Sequence, residues 1–190
     1  EYIGIVMYFA TEPEVGRKHN RLNLATTVVA PAGATSMIVG AECSGIEPMF
    51  AVAYTRHVRE GNSKDTTAYN VVSPLFNDYF EAFTGNALTE AQVQDIVQNG
   101  GGVQGLKWVP DELQKMFVTA GDLSPSNHIS MQAAVQQYIN NAVSKTVNLP
   151  NSATEEDVEQ VFIQAWKKYC KGTTAFRDGC TMTQALLVGK

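Results

Sequence analysis

Short β-branched stretches alternate with capped helical segments along this chain, and this alternation constrains the fold more than any other feature. Thr89 and Gln92 have the spacing of a capping box at the start of one helix, and Thr154 and Asp157 repeat it at the start of another. Pro74 stands where a first helical turn is expected, because proline is favoured there. Long helices that alternate with short strands favour an α/β layered or barrel architecture over a helix bundle. We therefore predict a single α/β domain over residues 1–190.

The apolar spacing predicts which face each helix buries. Residues 47–62 predict a strand, residues 63–69 a loop, and residues 145–150 and 173–180 two further strands. Residues 1–9 predict a short strand or helix. The expected buried stripes are Leu75, Phe76, Tyr79, Phe80 and Phe83 after Pro74; Val93, Ile96 and Val97 after Thr89; Leu113, Met116, Phe117 and Ala120 between Pro110 and Gly121; Met131, Val135, Tyr138, Ile139 and Ala142 after a cap at Ser126 or Asn127; and Val158, Val161, Phe162, Ala165, Trp166 and Tyr169 after Thr154.

The composition limits the classes of partner. A chain of 190 residues of which 44% are hydrophobic can bury a sizeable core. The formal net charge of -5 argues against a nucleic-acid partner, because surfaces that bind nucleic acids are basic. No apolar run is long enough to span a bilayer, and no secretory leader is evident. We therefore expect a cytoplasmic protein with no membrane partner.

The chain has three cysteines, Cys43, Cys170 and Cys180. Because their number is odd and their spacing is unlike that of zinc ligands, we predict neither a disulfide framework nor a metal site. Free thiols in a reducing compartment are the simplest interpretation. Cys43 and Cys170 are expected to be buried small apolar residues rather than reactive thiols.

The stretch VVAPAGATSMIVG, Val28 to Gly40, has the pattern of a strand, a loop of small residues and a helix start. Thr35 and Ser36 are residues that commonly begin a helix. Small side chains let backbone N–H groups approach a ligand closely, and a helix N-terminus favours phosphate or carboxylate. The pattern lacks the lysine of a P-loop. The stretch is therefore a candidate anion site, although most turns of this composition bind nothing.

Several other polar residues are open to two interpretations. Glu47 could orient a ligand or tie down a tight turn, and Lys145 could meet a phosphate or pack its stem along a strand with its charge in water. His128, at a helix start, is expected to bond to backbone. The arginines are expected on the surface or in ion pairs: Arg56, Arg59 and Arg177.

Four stretches in this order are collectively specific: APAGATSMI at 30–38, CSGIEPMFAVAYTR at 43–56, HISMQAAVQQYINNAVSKTVNLP at 128–150 and AWKKYCKGTTAFRDG at 165–179. Together they resemble the C-terminal part of the catalytic subunit of ribonucleotide reductases, and most of all the adenosylcobalamin-dependent class. The likeness extends over nearly the whole chain. It implies a segment of a ten-stranded α/β barrel whose chemistry removes the ribose 2′-hydroxyl of ribonucleotides through a thiyl radical.

The resemblance also implies a role for the small-residue loop, which in the family binds the phosphates of the substrate nucleotide. Carried over position by position, the phosphate loop consists of Pro31, Ala32, Gly33, Ala34, Thr35 and Ser36. Two family threonines are replaced here by Ala32 and Ala34. Each replacement deletes a hydroxyl donor, whose hydrogen bond contributes about 1 kcal/mol. Backbone amides, Thr35 and Ser36 remain to hold phosphate.

The resemblance also bears on the radical. In reductases that receive a radical from a separate subunit, a tyrosine pair follows the Lys-Thr of the strand, and here Asn148 and Leu149 stand in its place. Neither side chain can carry a useful radical, so a cofactor such as adenosylcobalamin is the compatible source. None of the cysteines has the family's catalytic setting. We therefore assign no catalytic residue to this segment, and expect the thiyl cysteine in the remainder of the reductase chain.

The implied partners are a ribonucleotide substrate, diphosphate or triphosphate, the remainder of the reductase chain, and a thiol reductant such as thioredoxin. The oligomeric state stays open between a monomer and a homodimer. An alternative of another class is a non-catalytic nucleotide-binding or split-gene assembly module derived from the reductase. The missing catalytic cysteines and the two alanines of the phosphate loop motivate it.

Overall fold

The structure is a computed structural model that describes residues 25–59 and 66–180. The predicted strand or helix over residues 1–9 lies outside these ranges. Within them, the chain has both helices and strands, which confirms the α/β class, but the expected alternation holds only in part, since two strands and then four α-helices follow one another.

A β-hairpin lies at the centre of the first half. Strand β1 (Ala53–Arg59) pairs antiparallel with β2 (Thr66–Val72), so that Ala53 lies opposite Val72. The strand predicted over 47–62 is confirmed in its second half. The loop predicted over 63–69 is wrong for its later residues, because the polar stretch that begins at Thr66 completes its backbone hydrogen bonds by pairing with β1.

Among the described residues, the first three helices of this half are α1 (Gly33–Val39), α2 (Pro74–Thr84) and α3 (Glu90–Gln98). Ser73 caps α2 by accepting from the N–H of Phe76, and the predicted capping box of α3 is present. The last helix of the half, α4, begins after Pro110, as predicted, but ends before Gly121; it spans Asp111–Met116. A short 3-10 turn, Ala120–Asp122, follows.

The first core forms where α2 and α3 pack on β1 and the loops around α4. Its buried members are Val52, Ala53, Phe76, Phe80, Ile96, Val97, Val103, Val109, Leu113 and Phe117. Some members of the predicted stripes face outward instead: Leu75, Tyr79, Phe83 and Met116 are exposed. Only a narrow face of each helix is buried in this core.

Helix α5 (Pro125–Gln136) buries a different face from the predicted one. Its cap is Ser124 rather than Ser126 or Asn127, because Pro125 takes the first helical position. Met131 and Tyr138 of the predicted stripe are exposed. The buried residues are His128, Ile129, Gln132, Ala133 and Gln136.

Buried glutamines replace apolar residues on α5 because the backbone around them needs donors. The side-chain amide of Gln132 donates to the carbonyls of Val143 and Gly172 at 2.9 and 2.6 Å. That of Gln136 donates to the carbonyls of Ile139 and Asn141. Each glutamine donates to two loop carbonyls, a pairing that an apolar side chain could not make.

The second half ends in a β-α-β unit. Strand β3 (Thr146–Leu149) and strand β4 (Thr174–Arg177) are parallel and are joined by α6 (Glu155–Lys167). The two predicted strands and the Thr154 capping box are confirmed. The second core consists of Ile129, Val147, Leu149, Ala153, Val161 and Ala165. The prediction that Phe162, Trp166 and Tyr169 are buried is wrong, since all three are exposed.

The described strands form two separate two-stranded sheets, so the described residues alone do not form a closed barrel. A parallel bridge between Val29 and Val143 connects the chain entering α1 to the chain entering β3. In the two described ranges, no helix is both long and apolar enough to cross a lipid bilayer.

Candidate functional site

An open cleft with a volume of about 740 Å³ lies where the start of α1, the segment before β1, and β3 meet. Residues from five parts of the chain line it, among them Gly33, Cys43, Glu47, Arg56 and Asn148. Its polar and charged groups come from segments far apart in sequence. The cleft is the place where the structure brings the candidate residues together.

The phosphate loop lies at one side of this cleft. Of its six residues, Gly33 and Ser36 line the cleft, whereas Pro31, Ala32, Ala34 and Thr35 are exposed beside it. Helix α1 begins at Gly33, two residues before the predicted start at Thr35. The first N–H groups of a helix have no acceptor within it.

Two features of the phosphate loop decide which of its hydrogen-bond donors are free to contact a ligand. Ala32 has a φ of 54°, in the left-handed region, and its carbonyl accepts from both the N–H and the hydroxyl of Ser36, at 2.9 and 2.8 Å. The Ser36 hydroxyl proton is therefore already used. A Cβ built on Gly33 meets nothing within 4 Å, so the space in front of this residue is open.

The loop is held in place from two sides. The chain before it pairs with the chain before β3: the N–H of Ser144 donates to the Val29 carbonyl at 2.9 Å. On the other side Gly45, with a φ of 58°, packs so closely that a Cβ there would lie 2.9 Å from the Ala30 carbonyl oxygen. Only glycine combines this backbone angle with this approach.

Glu47, His128 and Lys145 form a buried group, called here the lysine cluster. The Lys145 ammonium lies 2.6 Å from Glu47 Oε2, 2.8 Å from His128 Nδ1 and 2.6 Å from the Thr146 carbonyl. Lys145 is only 3% exposed, so the interpretation in which its charged end lies in water is wrong. All three ammonium protons have protein acceptors, which leaves none for a phosphate.

Glu47 connects its loop to β3. Its second carboxylate oxygen accepts from the N–H of Thr146 at 2.5 Å, while the first pairs with Lys145. The Glu47 carboxylate therefore ties its loop to a distant strand rather than closing its own turn, and a role in orienting a ligand stays a prediction. The side chain is also 23% exposed and lines the cleft.

His128 bonds to the Ala120 carbonyl through Nε2, at 3.1 Å, as predicted for a backbone contact. Because Nδ1 accepts from Lys145, we assign the proton to Nε2 in a neutral imidazole. Burial, and after it the charge of Lys145, lowers the pKa of His128 below its ordinary value of 6.5.

The cysteines differ from expectation in part. Cys43 is exposed and lines the cleft, so its predicted burial is wrong; Cys170 is half-buried, and burial raises the pKa of its thiol. Cys180 is exposed. Across the part of the chain that the structure describes, no three His, Cys, Asp or Glu side chains are grouped as metal ligands would be.

The remaining candidates take separate places. Arg56 is exposed and lines the cleft, whereas Arg177 is half-buried and donates to the carbonyls of Ala153 and Asn151. Asn148 lines the cleft and Leu149 belongs to the second core. No short-range pattern in the sequence places Cys43, Arg56 or Asn148 in one cavity with the phosphate loop, and only the fold brings them there.

The ribonucleotide reductase barrel-domain family model matches residues 13–176. The chain belongs to this family. A vitamin B12-dependent ribonucleoside-diphosphate reductase of Mycobacterium tuberculosis is 39% identical over 176 residues, which cover 93% of this chain and 24% of the relative. One from Thermoplasma acidophilum is 35% identical over 88% of this chain and 20% of the relative. This reductase segment thus spans between 17% and 29% of the length of the curated relatives that it matches.

Among solved structures, the class Id ribonucleotide reductase alpha subunit of Actinobacillus ureae has the same fold. The TM-score is 0.69, the identity 20%, and the match covers 88% of this chain and 30% of that one. The predicted family and the assignment to the reductase α/β barrel are therefore confirmed.

Proposed function

We propose that the protein acts in ribonucleotide reduction, and that this segment supplies the loop that binds the phosphates of the ribonucleotide, together with strands of the catalytic barrel. Family membership and the names of the relatives support the reaction. The observation that carries the phosphate assignment is the position of Gly33 and Ser36, which line the same cleft as Asn148 of β3. The family's phosphate motif thus faces a cavity of a size suited to a small ligand.

The phosphate would be held mainly by backbone. Ala32 and Ala34 offer no side-chain donor, and the Ser36 hydroxyl donates to the Ala32 carbonyl. This leaves the Thr35 hydroxyl and the N–H groups at the start of α1, with open space in front of Gly33 for the phosphate oxygens. Weaker nucleotide binding than in a relative with both threonines is the expected consequence.

Adenosylcobalamin is the proposed cofactor, as the names of the B12-dependent relatives suggest. The residues present fit this choice: Asn148 lines the cleft and Leu149 is buried, and neither an amide nor an alkyl side chain can relay a radical from another subunit. When bound, this cofactor supplies radical chemistry. Its contacts are proposed to lie mostly outside this segment.

The catalytic thiyl cysteine is proposed to come from the remainder of the reductase chain. We further propose a cytoplasmic enzyme, re-reduced by a thiol reductant such as thioredoxin. The chain's own contribution is to bind and orient the nucleotide. Diphosphate and triphosphate substrates remain equal alternatives.

The test is titration of a ribonucleoside diphosphate and triphosphate into the native polypeptide that carries this sequence. Gly33→Asp adds a negative charge and fills the open space, so the affinity is expected to fall by more than about tenfold. Gly33→Ala adds a methyl group to the same space without a charge, so it should lower the affinity less than Gly33→Asp does. An unchanged titration of Gly33→Asp would contradict the phosphate assignment.

The second candidate is a non-catalytic module derived from the reductase. The alanines of the phosphate loop and the absence of a cysteine in a catalytic setting favour it. Against it, Tyr138, Trp166 and Tyr169 are exposed, which is expected for a segment that packs against the rest of a larger chain and not for a freestanding module. The intact mass of the native polypeptide separates the candidates: a chain several times longer supports the enzyme, and one near 20.7 kDa supports the module.

A further inference from the structure

The lysine cluster joins three segments that are distant in sequence. Glu47 precedes β1, His128 lies in the first turns of α5, and Lys145 directly precedes β3. Lys145 and Glu47 are 98 residues apart along the chain, yet their charged atoms are 2.6 Å apart. The fold thus uses one buried cation to fix the position of three backbone segments.

Two of the described segments that contact the chain just before the phosphate loop lead directly into this cluster. Gly45, two residues before Glu47, packs on the Ala30 carbonyl at the entrance of the loop. Ser144, the residue before Lys145, bonds to Val29 through its N–H. A shift of either partner would therefore move a backbone segment on which the loop rests.

We propose that Lys145 is a positioning residue for the phosphate loop. Its ammonium holds the Glu47 segment against β3, so that Gly45 on one side and Ser144 on the other keep the loop in one place beside the cleft. Lys145 does not touch the ligand, because its three protons are bonded to Glu47, His128 and Thr146. The proposal rests on the proposed function only for the identity of the ligand.

The physical basis is the cost of an uncompensated buried charge. Lys145→Met removes the cation and leaves the Glu47 carboxylate with the Thr146 N–H as its remaining bonded partner among the described residues. A carboxylate in that state moves toward water, and its segment moves with it. Because the cleft is open at Glu47, water is available there.

The experiment compares Lys145→Met with Lys107→Met, an exposed lysine in the connection between α3 and α4. Both are made in the native polypeptide. Amide hydrogen exchange is measured over residues 29–36 and over α3, and KM and kcat are measured with ribonucleoside diphosphate and triphosphate. For Lys145→Met we expect faster exchange in 29–36 but not in α3, and a KM raised about tenfold with kcat largely kept.

Lys107→Met should match the wild type in every measurement. The proposal is overturned if Lys145→Met leaves both KM and the hydrogen exchange of residues 29–36 within twofold of the wild type. It is also overturned if hydrogen exchange in α3 accelerates equally, because that indicates a general loosening of the fold. If Lys145→Met does not fold, Glu47→Gln takes its place with the same expected and refuting results. If the wild type neither binds nor turns over ribonucleotides, the proposed function fails, and hydrogen exchange alone decides the role of Lys145.

Discussion

Gly45→Ala is the substitution that tests most directly how the phosphate loop is supported. The residue has a φ of 58°, and an L-residue in this region costs about 1–2 kcal/mol. Its new Cβ would lie 2.9 Å from the Ala30 carbonyl oxygen, closer than such atoms approach, so backbone must shift. Alanine also lowers the conformational entropy of the unfolded chain, which offsets about 0.4–1 kcal/mol of this cost. We expect the free energy of unfolding to fall by about 2 kcal/mol once the contact is included.

The assay is urea unfolding of the native polypeptide, with Gly33→Ala as the control. That control has a free space for its methyl group and should change the free energy of unfolding by less than about 1 kcal/mol. Because Ala30 directly precedes the phosphate loop, Gly45→Ala should also weaken binding of ribonucleoside diphosphate or triphosphate. A loss below about 0.5 kcal/mol would refute the reasoning, since neither the backbone angle nor the contact would then matter.

Two further predictions concern stability. The pKa of His128 is lowered in the folded state, so as the pH falls the unfolded chain binds a proton at this residue before the folded chain does. The contribution of His128 to the free energy of unfolding should therefore be fully present above pH 6.5 and decline as the pH falls below it. Urea unfolding at about pH 8 and about pH 5 should show less of this decline in His128→Gln, and an equal decline would contradict the assignment. Phe76→Ala, which removes a fully buried ring 5.0 Å from the ring of Phe117, should cost about 3–5 kcal/mol. Phe83→Ala on the same helix, where the side chain is half exposed, should cost less than about 1.5 kcal/mol, and similar losses for the two would count against the core described here.

Local signals in the sequence predicted the helix starts well. The capping boxes at Thr89 and Thr154 are both present, because each box is closed by groups three residues apart. The proline signal at Pro74 also holds. The strand beginning at Thr66 was missed although Thr66, Thr67 and Tyr69 have high strand propensity, because polar neighbours masked that signal; pairing with β1 decides it.

Of the candidate site, only the phosphate loop could be predicted from the sequence, because it is a recognisable motif. The order of four family stretches identified the reductase family and pointed to residues 31–36, and phosphate binding by that loop stays a prediction. The lysine cluster was not foreseen, because no short-range pattern marks a lysine as buried. Two of its three acceptors lie 98 and 17 residues away, and only the assembled fold brings them to one cation.

The sequence by itself determined the α/β class, the family and the starts of most helices, since these depend on neighbours along the chain or on a recognisable motif. Only the tertiary structure decided which face of each helix is buried. On α5 it buried Gln132 and left Met131 exposed, because the Gln132 side-chain amide donates to the carbonyls of Val143, a buried residue, and of Gly172. On α6 it left Trp166 exposed although the apolar spacing predicted burial. Burial depends on which distant segment packs against a residue, and hydropathy along one helix does not contain that information.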